Sequence, residues 1–350
     1  MRPLGARFVV TGEAILASKI INWGVLGAAE IACEQTIPAI QAAPNSRAYA
    51  MASRRGVPEA LIERFGFATG YGDYDELLAD PAVDAVYLPL PNARHAEWTI
   101  KAARAGKHVL CEKPAALTSV EARQAIAACE AAGVIYMEAM MYQFHAQHAR
   151  VRALIDSGAI GDVRGVHVNL TFNLEKSLAD FRHGAIETGG GSLYDLGCYC
   201  IHTVRSLLGE PDRVASVARF AGPQRAEMSA AVVLGYDTGA KASFDCGMDA
   251  TGRHAYEVYG TAGVIRLNKA FVPQADGDGP IEIVDHRGRV THERVTSFQY
   301  VNGVAHFADC VINGQTPDYA PADVLANMRV LDACIESASS QRLIKLEKTS

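Results

Sequence analysis

The sequence has no long apolar run, and none of its hydrophobic stretches reaches the roughly 18 residues that a membrane-spanning helix needs. It also lacks a basic excess, because 33 lysines and arginines stand against 39 aspartates and glutamates and the formal net charge is -6. Without a basic field, nucleic acid is not an expected partner. Membranes and nucleic acids are therefore both excluded as expected partners.

The N-terminus lacks the continuous apolar core of a signal peptide, since Gly12 and Glu13 interrupt it. We interpret residues 1–19 as an N-terminal tail, with an ordered arm as the alternative. The eight cysteines include no CxxC pair, and most lie in apolar runs such as His108-Val109-Leu110-Cys111. This usage is typical of reduced, buried thiols in a cytoplasmic protein and indicates neither a disulfide framework nor a metal site.

The 350 residues are too many for one ordinary core, so two domains are expected. Between residues 20 and 140, short apolar strands alternate with helical segments, a pattern that predicts an α/β Rossmann domain with a doubly wound parallel sheet. Its predicted strands are 20–26, 47–53, 84–88, 107–111 and 134–137, and its predicted helices are 31–43, 58–65, 93–105 and 119–132.

The second domain is predicted to span residues 141–350. Strand-like segments predominate there, which indicates an α+β domain with a large, mostly antiparallel sheet. Its predicted strands are 163–172, 213–220, 228–236, 241–246, 255–259 and 264–267, and its predicted helices are 192–208 and 321–339.

The first predicted strand runs into Gly27-Ala28-Ala29-Glu30-Ile31-Ala32. A dinucleotide fingerprint needs a tight turn, a close backbone approach to pyrophosphate and close packing of the helix on the strand. Gly27 and Ala32 meet the first and third needs, and Ala29 replaces the second glycine. The N-terminus of the following helix offers amide donors, so residues 27–31 are predicted to bind a dinucleotide.

The second strand ends in Ser53-Arg54-Arg55, where NAD enzymes usually place a carboxylate for the ribose hydroxyls. A guanidinium in that place suits a 2′-phosphate. Two solvated surface arginines are the alternative interpretation. Because Ser53 and Arg54 end the strand that follows the fingerprint, they predict NADP as the cofactor, with NAD also possible.

These motifs together resemble the glucose–fructose oxidoreductase / inositol dehydrogenase superfamily. The stretch from Gly189-Gly190-Gly191 through Asp195 to Tyr199 is similar to its subgroup of dimeric dihydrodiol dehydrogenases and NADP-dependent xylose dehydrogenases. The resemblance covers roughly residues 20 to 346. It is carried by Trp23-Gly24-Val25-Leu26-Gly27, Ala52-Ser53-Arg54, Pro89-Leu90-Pro91-Asn92 with His95, and Cys111-Glu112-Lys113-Pro114.

The resemblance implies hydride transfer between nicotinamide and a CH-OH or C=O carbon of a small sugar, sugar derivative or vicinal diol. Lys113, Asp195 and Tyr199 are the expected catalytic residues: Tyr199 relays the proton, Lys113 polarises the oxygen, and Asp195 aligns them. The third and fourth strand ends are expected to contact the cofactor, through Leu88, Pro89, Leu90, Asn92, His95, Glu112 and Lys113. The family pattern also implies a homodimer or homotetramer that pairs through the open face of the second sheet.

A departure from the family pattern concerns the substrate. The family's Tyr-Arg-Phe-His-Pro-Gln stretch reads Tyr142-Gln143-Phe144-His145-Ala146-Gln147 here, so a cation is lost near the expected pocket. Arg182, which precedes the glycines at 189–191, is a candidate for the replacement charge, and Arg164 and other solvated arginines are equally available. The expected substrate-binding set is Gln143, His145, Arg182, Asp195 and His202.

Two other functions are compatible with these motifs. One is a glycoside hydrolase that oxidises its substrate transiently with a tightly bound NAD; Arg54 argues against it, because that recycling does not call for a 2′-phosphate. The other is a non-catalytic NADP-binding sensor, which the presence of Lys113, Asp195 and Tyr199 disfavours.

Overall fold

The computed structural model describes residues 19–174, 184–220, 226–272 and 274–347. Apart from Lys19, the predicted N-terminal tail lies outside these ranges, and so does Arg182. The described chain forms two β-sheets, one of six strands and one of nine.

The first sheet is parallel and has the strand order β3-β2-β1-β4-β5-β6. Its central strands are buried on both faces, which explains why their sequences are continuously apolar. The strands are β1 (Ile21–Leu26), β2 (Ser46–Ala52), β3 (Thr69–Tyr71), β4 (Ala85–Leu88), β5 (His108–Cys111) and β6 (Tyr136–Glu138).

Helices connect these strands. The first begins with a wider π turn at Ala32–Thr36 before α1, and a 3-10 turn at Asn92–Arg94 precedes α4. Residue Thr118 caps α5 by accepting a hydrogen bond from the Glu121 amide. The helices are α1 (Ile37–Ala42), α2 (Glu59–Phe65), α3 (Tyr74–Ala79), α4 (His95–Arg104) and α5 (Ser119–Ala132).

The second sheet has the order β14-β13-β12-β11-β7-β10-β9-β8-β15 and is antiparallel except between β7 and β10. One face packs against helices and the other is open. Its strands are β7 (Val163–Asn173), β8 (Arg213–Phe220), β9 (Glu227–Gly235), β10 (Lys241–Gly247), β11 (Asp249–Gly260), β12 (Gly263–Leu267), β13 (Asp278–Asp285), β14 (Val290–Thr296) and β15 (Ile344–Lys345).

The remaining helices are α6 (Ala146–Asp156), α7 (Cys198–Leu208), α8 (Gln299–Asn313) and α9 (Pro321–Ser340), and a π turn at Leu193–Gly197 leads into α7. Helix α8 comes late in the chain but packs into the core of the first sheet, where Phe307 lies 5.2 Å from Trp23 between ring centroids. The boundary at residue 140 stays a prediction, and α8 is a late segment that contributes to the Rossmann core.

The topology confirms the predicted fold class, a parallel Rossmann sheet joined to a second, mostly antiparallel sheet. Among the described residues, no helix combines the length and the apolarity that crossing a bilayer requires.

Candidate active site

A cleft of about 380 Å³ opens at the carboxyl edge of the first sheet, where the strand order reverses between β1 and β4. Open α/β sheets bind ligands at such a switch point. The loops after β1, β4 and β5 meet there with the π turn before α7 and the first turn of α8. The lining residues are Ala29, Glu30, Ile31, Pro89, Leu90, Pro91, Asn92, Glu112, Lys113, Asp195, Tyr199 and Tyr300.

The loop after β1 is a tight turn that requires glycine. Gly27 has φ +113°, and its amide donates to the Ala52 carbonyl at 2.9 Å. Ala28 is exposed beyond it, and the helix that follows begins at the cleft. The first amides of a helix have no partner within the helix. This turn therefore offers N–H donors and a positive dipole end to an anionic group.

The end of β2 presents cations to solvent. Arg54 and Arg55 are both exposed, and neither forms an ion pair with any residue that the structure describes. Ser53 anchors the turn through its amide, which donates to the Tyr71 carbonyl at 3.1 Å. The two guanidinium groups are thus available to a phosphate at the adenosine end of a dinucleotide.

Lys113 and Asp195 form an ion pair in the cleft. The Lys113 Nζ lies 2.8 Å from Asp195 Oδ1 and 2.9 Å from the Asp195 carbonyl oxygen, and both side chains are about 15% exposed. Burial opposes the charge of the ammonium, but Asp195, with Cys198 and Glu112, outweighs burial and raises the pKa of Lys113. Lys113 is therefore an ammonium group held at a fixed position.

Tyr199, in the first turn of α7, stands beside this pair. Its ring centroid is 5.1 Å from the Lys113 Nζ. Burial, followed by the charge of Glu112, raises the pKa of Tyr199 well above its usual range, so the side chain is a neutral phenol at neutral pH. The cleft thus contains two proton donors, a phenol and an ammonium.

Other predicted cofactor residues hold the loops together. Asn92 does not cap the following helix. Its Nδ2 donates to the Gly189 carbonyl at 2.8 Å and so joins the loop after β4 to the segment Gly189-Gly190-Gly191, here called the glycine loop. The buried His95 ring has Nδ1 at 2.6 Å from the Pro114 carbonyl oxygen and Nε2 at 2.7 Å from the Leu90 carbonyl oxygen. Leu88 is fully buried in β4 and does not line the cleft.

Glu112 is tied to the first sheet. Its Oε1 accepts a hydrogen bond from the Tyr87 hydroxyl at 2.6 Å, and burial raises the pKa of its carboxyl. Its other oxygen accepts the Lys113 amide at 3.2 Å. These bonds fix the direction in which the β5 loop leaves the sheet.

Three predicted substrate residues lie outside this cleft. Gln143 and His202 line a separate polar cavity of about 420 Å³. The His202 Nδ1 lies 2.6 Å from the hydroxyl of Tyr142, whose ring separates it from Tyr199. His145 caps α6, since its Nδ1 accepts the Gln147 amide and its Nε2 donates to the Gly277 carbonyl. Of the predicted substrate set that the structure describes, only Asp195 reaches the cleft.

Tyr300 lines the cleft although sequence analysis did not single it out. It lies in the first turn of α8, a helix that was not predicted, and just over 100 residues after Tyr199. The apolar spacing of Val304, Phe307, Ala308 and Val311 is the signal that identifies this helix, because these side chains are all buried on one face.

Comparisons with known proteins identify the family of the chain. Residues 21–140 match the model of the GFO/IDH/MocA oxidoreductase family, NAD-binding Rossmann fold, and residues 148–266 match a GFO/IDH/MocA C-terminal domain. D-xylose 1-dehydrogenase (NADP(+)) 2 from Haloferax volcanii is 36% identical over 326 residues, which cover 93% of this chain and 99% of the relative.

Solved structures with the same fold include a 3-ketoreductase from Actinomadura kijaniata in complex with NADP and TDP-benzene. It superposes with a TM-score of 0.85 at 32% identity, over 90% of this chain and 97% of its own. The aldose-aldose oxidoreductase from Caulobacter crescentus, complexed with glycerol, also gives a TM-score of 0.85. It is 29% identical, and the match covers 94% of this chain and 100% of the Caulobacter chain.

Proposed function

Because the chain belongs to the GFO/IDH/MocA oxidoreductase family, we propose that it moves a hydride between NADP and a carbinol or carbonyl carbon of a sugar, a sugar derivative or a vicinal diol. The resemblance recognised in the sequence motifs and the expected enzyme class, an NAD(P)-dependent dehydrogenase or reductase, are confirmed by the family match and the relatives. The observation that carries the proposal is the Lys113–Asp195–Tyr199 group at the switch point of a Rossmann sheet.

The residues present fit NADP. The turn at Gly27 leaves room for a close backbone approach, and the helix that starts there provides amide donors for pyrophosphate. Arg54 stands exposed at the end of β2, where a 2′-phosphate needs a cation. Pro89, Leu90 and Asn92 would lie along the nicotinamide.

The bound nucleotide supplies or accepts the hydride, and the chain handles the oxygen and its proton. In the direction of reduction, Lys113 donates a hydrogen bond to the carbonyl oxygen and stabilises the negative charge that develops there. Tyr199 transfers its phenolic proton to that oxygen. Asp195 keeps the Lys113 Nζ in place at 2.8 Å.

Support for the substrate class comes from the relatives. The names of three of them specify D-xylose, a dTDP-linked keto sugar and trans-1,2-dihydrobenzene-1,2-diol. These compounds share a carbinol or carbonyl carbon next to another oxygen-bearing carbon. Asp195, Glu112 and Tyr300 line the same cleft as Lys113, which supports a role for them in binding such a neighbouring hydroxyl.

The proposal includes a homodimer or homotetramer in a reducing, cytoplasmic environment. The open face of the second sheet supports the assembly, because Val217 and Val233 are 78% and 56% exposed on adjacent strands β8 and β9. The cysteines support the environment, because all eight are free thiols.

A substrate panel tests the function. Aldoses, inositols, anhydrosugars and vicinal diols are assayed with NADP and with NAD, and the corresponding carbonyl compounds with the reduced cofactors. We expect NADP-linked turnover with at least one aldose or diol. A silent panel in both directions, with a nucleotide retained through purification, would instead support the hydrolase.

Replacement of Arg54 tests the cofactor. We expect Arg54→Ala to raise the KM for NADP about tenfold with kcat unchanged, because one charge-assisted bond to a phosphate is lost at an exposed site. The KM for NAD should change little. Arg104→Ala, which removes an exposed arginine at the far end of α4, is the matched control. An equal rise in both KM values for Arg54→Ala would contradict the assignment.

A further inference from the structure

A buried glutamate supports the turn that carries Lys113. Glu138 ends β6 and is 1% exposed. Its Oε1 accepts a hydrogen bond of 2.7 Å from the amide of Ala115, two residues after Lys113. Its Oε2 is buried, and the buried Tyr319 hydroxyl lies near the carboxyl. Glu138 itself does not line the cleft.

A second buried glutamate supports the turn that carries Asp195. Glu227 begins β9 and is 2% exposed. Its Oε1 accepts a hydrogen bond of 2.6 Å from the amide of Leu193, two residues before Asp195. Gly191 has φ +115°, and a Cβ there would lie 2.7 Å from both carboxyl oxygens of Glu227. The glycine loop therefore leaves the space that this carboxyl occupies.

The two arrangements are equivalent, and they meet at one contact. Each glutamate is the terminal residue of a strand, Glu138 in the first sheet and Glu227 in the second. Each binds the backbone of one of the two turns whose side chains form the Lys113–Asp195 pair. We propose that Glu138 and Glu227 are positioning residues that together set where Lys113 and Asp195 meet, and thereby where Lys113 and Tyr199 face the reacting oxygen.

Each turn depends on its glutamate because that side chain pairs a buried backbone amide of the turn. A buried amide must be paired, and in these two turns the partner is a side chain rather than a strand or helix, so the geometry of the turn depends on the length of that side chain. Burial raises the pKa of both carboxyls to about 7. Either protonation state leaves an oxygen that accepts the amide hydrogen bond, so the support depends on reach and not on charge.

The test separates the length of the glutamate side chain from its charge. Aspartate keeps the charge but is one methylene shorter, whereas glutamine keeps the length and an accepting oxygen. We expect Glu138→Asp and Glu227→Asp each to lower kcat roughly tenfold, since small misplacements of reacting groups are costly. Glu138→Gln and Glu227→Gln should stay within about threefold of wild type, and the KM for NADP should not change. kcat is expressed per NADP-binding site, counted by titration, so that unfolded protein does not enter the value.

Glu121→Asp is the matched control. Glu121 also accepts a backbone amide, that of Leu117 at 3.1 Å, but this segment carries no cleft-lining side chain. Its shortening should leave kcat unchanged even if the melting temperature falls. The inference is overturned if both aspartate variants turn over like wild type, or if the glutamine variants lose more than tenfold; the glutamine result decides alone where an aspartate variant does not fold.

The inference rests on the proposed roles of Lys113 and Tyr199, and the two fail differently. A wild-type protein that binds NADP but turns over no carbonyl or carbinol compound would remove the proposed function. An active wild-type protein with equally active Glu138→Asp and Glu227→Asp variants would remove only the positioning roles.

Discussion

Tyr199→Phe is expected to lower kcat by at least about two orders of magnitude, the contribution of a positioned proton donor. The substitution keeps the ring, which packs 5.7 Å from the Tyr142 ring between centroids, and removes only the hydroxyl. Binding of NADP should remain, because the phenol is expected to act on the substrate oxygen. The measurement is kcat and the KM for NADP with the best substrate of the panel.

The pH dependence of the wild-type protein follows from the same group. The pKa of Tyr199 is raised, mainly by burial, and the pKa of Lys113 is raised by Asp195 against burial. Both groups are therefore protonated at neutral pH, which is the state that reduction needs. Reduction should stay constant through neutral pH and fall only in alkali, whereas oxidation, which needs a proton acceptor, should rise with pH.

Tyr142→Phe is the control for the tyrosine. Tyr142 is a fully buried phenol in ring contact with the partly buried Tyr199, but its hydroxyl points to His202 and Thr203 and does not line the cleft. This variant should lose stability, because the buried His202 Nδ1 loses its hydrogen bond to the Tyr142 hydroxyl, and keep kcat near the wild-type value. A Tyr199→Phe enzyme as fast as Tyr142→Phe would remove Tyr199 from the mechanism.

Much of the first domain was predictable, because its physics is local. Strands β1, β4 and β5 are runs of apolar residues buried on both faces, and their ends carry Gly27, Asn92 and Lys113. Parallel strands bring their carboxyl ends to one edge, so the meeting of these loops followed from the order of the elements alone. The loops after β1, β4 and β5 do meet at the cleft.

Other elements were missed because their local signal is weak. Strand β3 has only three residues, and β14, Val290–Thr296, is a polar strand in which most residues are exposed. Strand β13 contains Pro280, which lowers the strand signal. Helix α8 is different, because its sequence has an apolar face but lies far along the chain from the sheet that the helix covers. Its contact with Trp23 is a long-range tertiary contact that no local sequence pattern specifies.

The site shows the same limit. The predicted helix 192–208 contains both Asp195 and Tyr199, and both do line the cleft, although a π turn at Leu193–Gly197 carries Asp195. The motif around Gln143 pointed to the substrate, yet the 3-10 turn at Met141–Phe144 directs Gln143 into another cavity. Which residues face one another across two domains depends on packing, so the substrate residues remain a prediction.

Lys113→Ala is expected to lower kcat by at least about two orders of magnitude, because the variant loses both the hydrogen bond to the substrate oxygen and the charge that stabilises the developing alkoxide. The loss should appear in reduction and in oxidation alike, since both pass through the same charge distribution. Lys101→Ala is the control, because Lys101 is an exposed lysine that pairs with Asp75 on the same domain. This control should be fully active.

Loss of activity in Lys113→Ala has a second possible cause, which the structure allows to be separated. The Asp195 carboxylate is 16% exposed in the wild-type protein, and Lys113→Ala removes the ammonium that lies 2.8 Å from it. If the loss of this one cation beside the carboxylate were what slows the enzyme, adding Asp195→Asn to Lys113→Ala would restore turnover. We expect no restoration, because the amide that Asp195→Asn introduces removes the repulsion between the carboxylate and the developing negative charge on the substrate oxygen but supplies no cation.

Methylammonium in the assay, which replaces the missing cation in the space of the Lys113 side chain, should raise kcat of the Lys113→Ala enzyme and leave that of Tyr199→Phe unchanged. Recovery through Asp195→Asn alone would show that Lys113 neutralises its neighbour and takes no part in the hydride step.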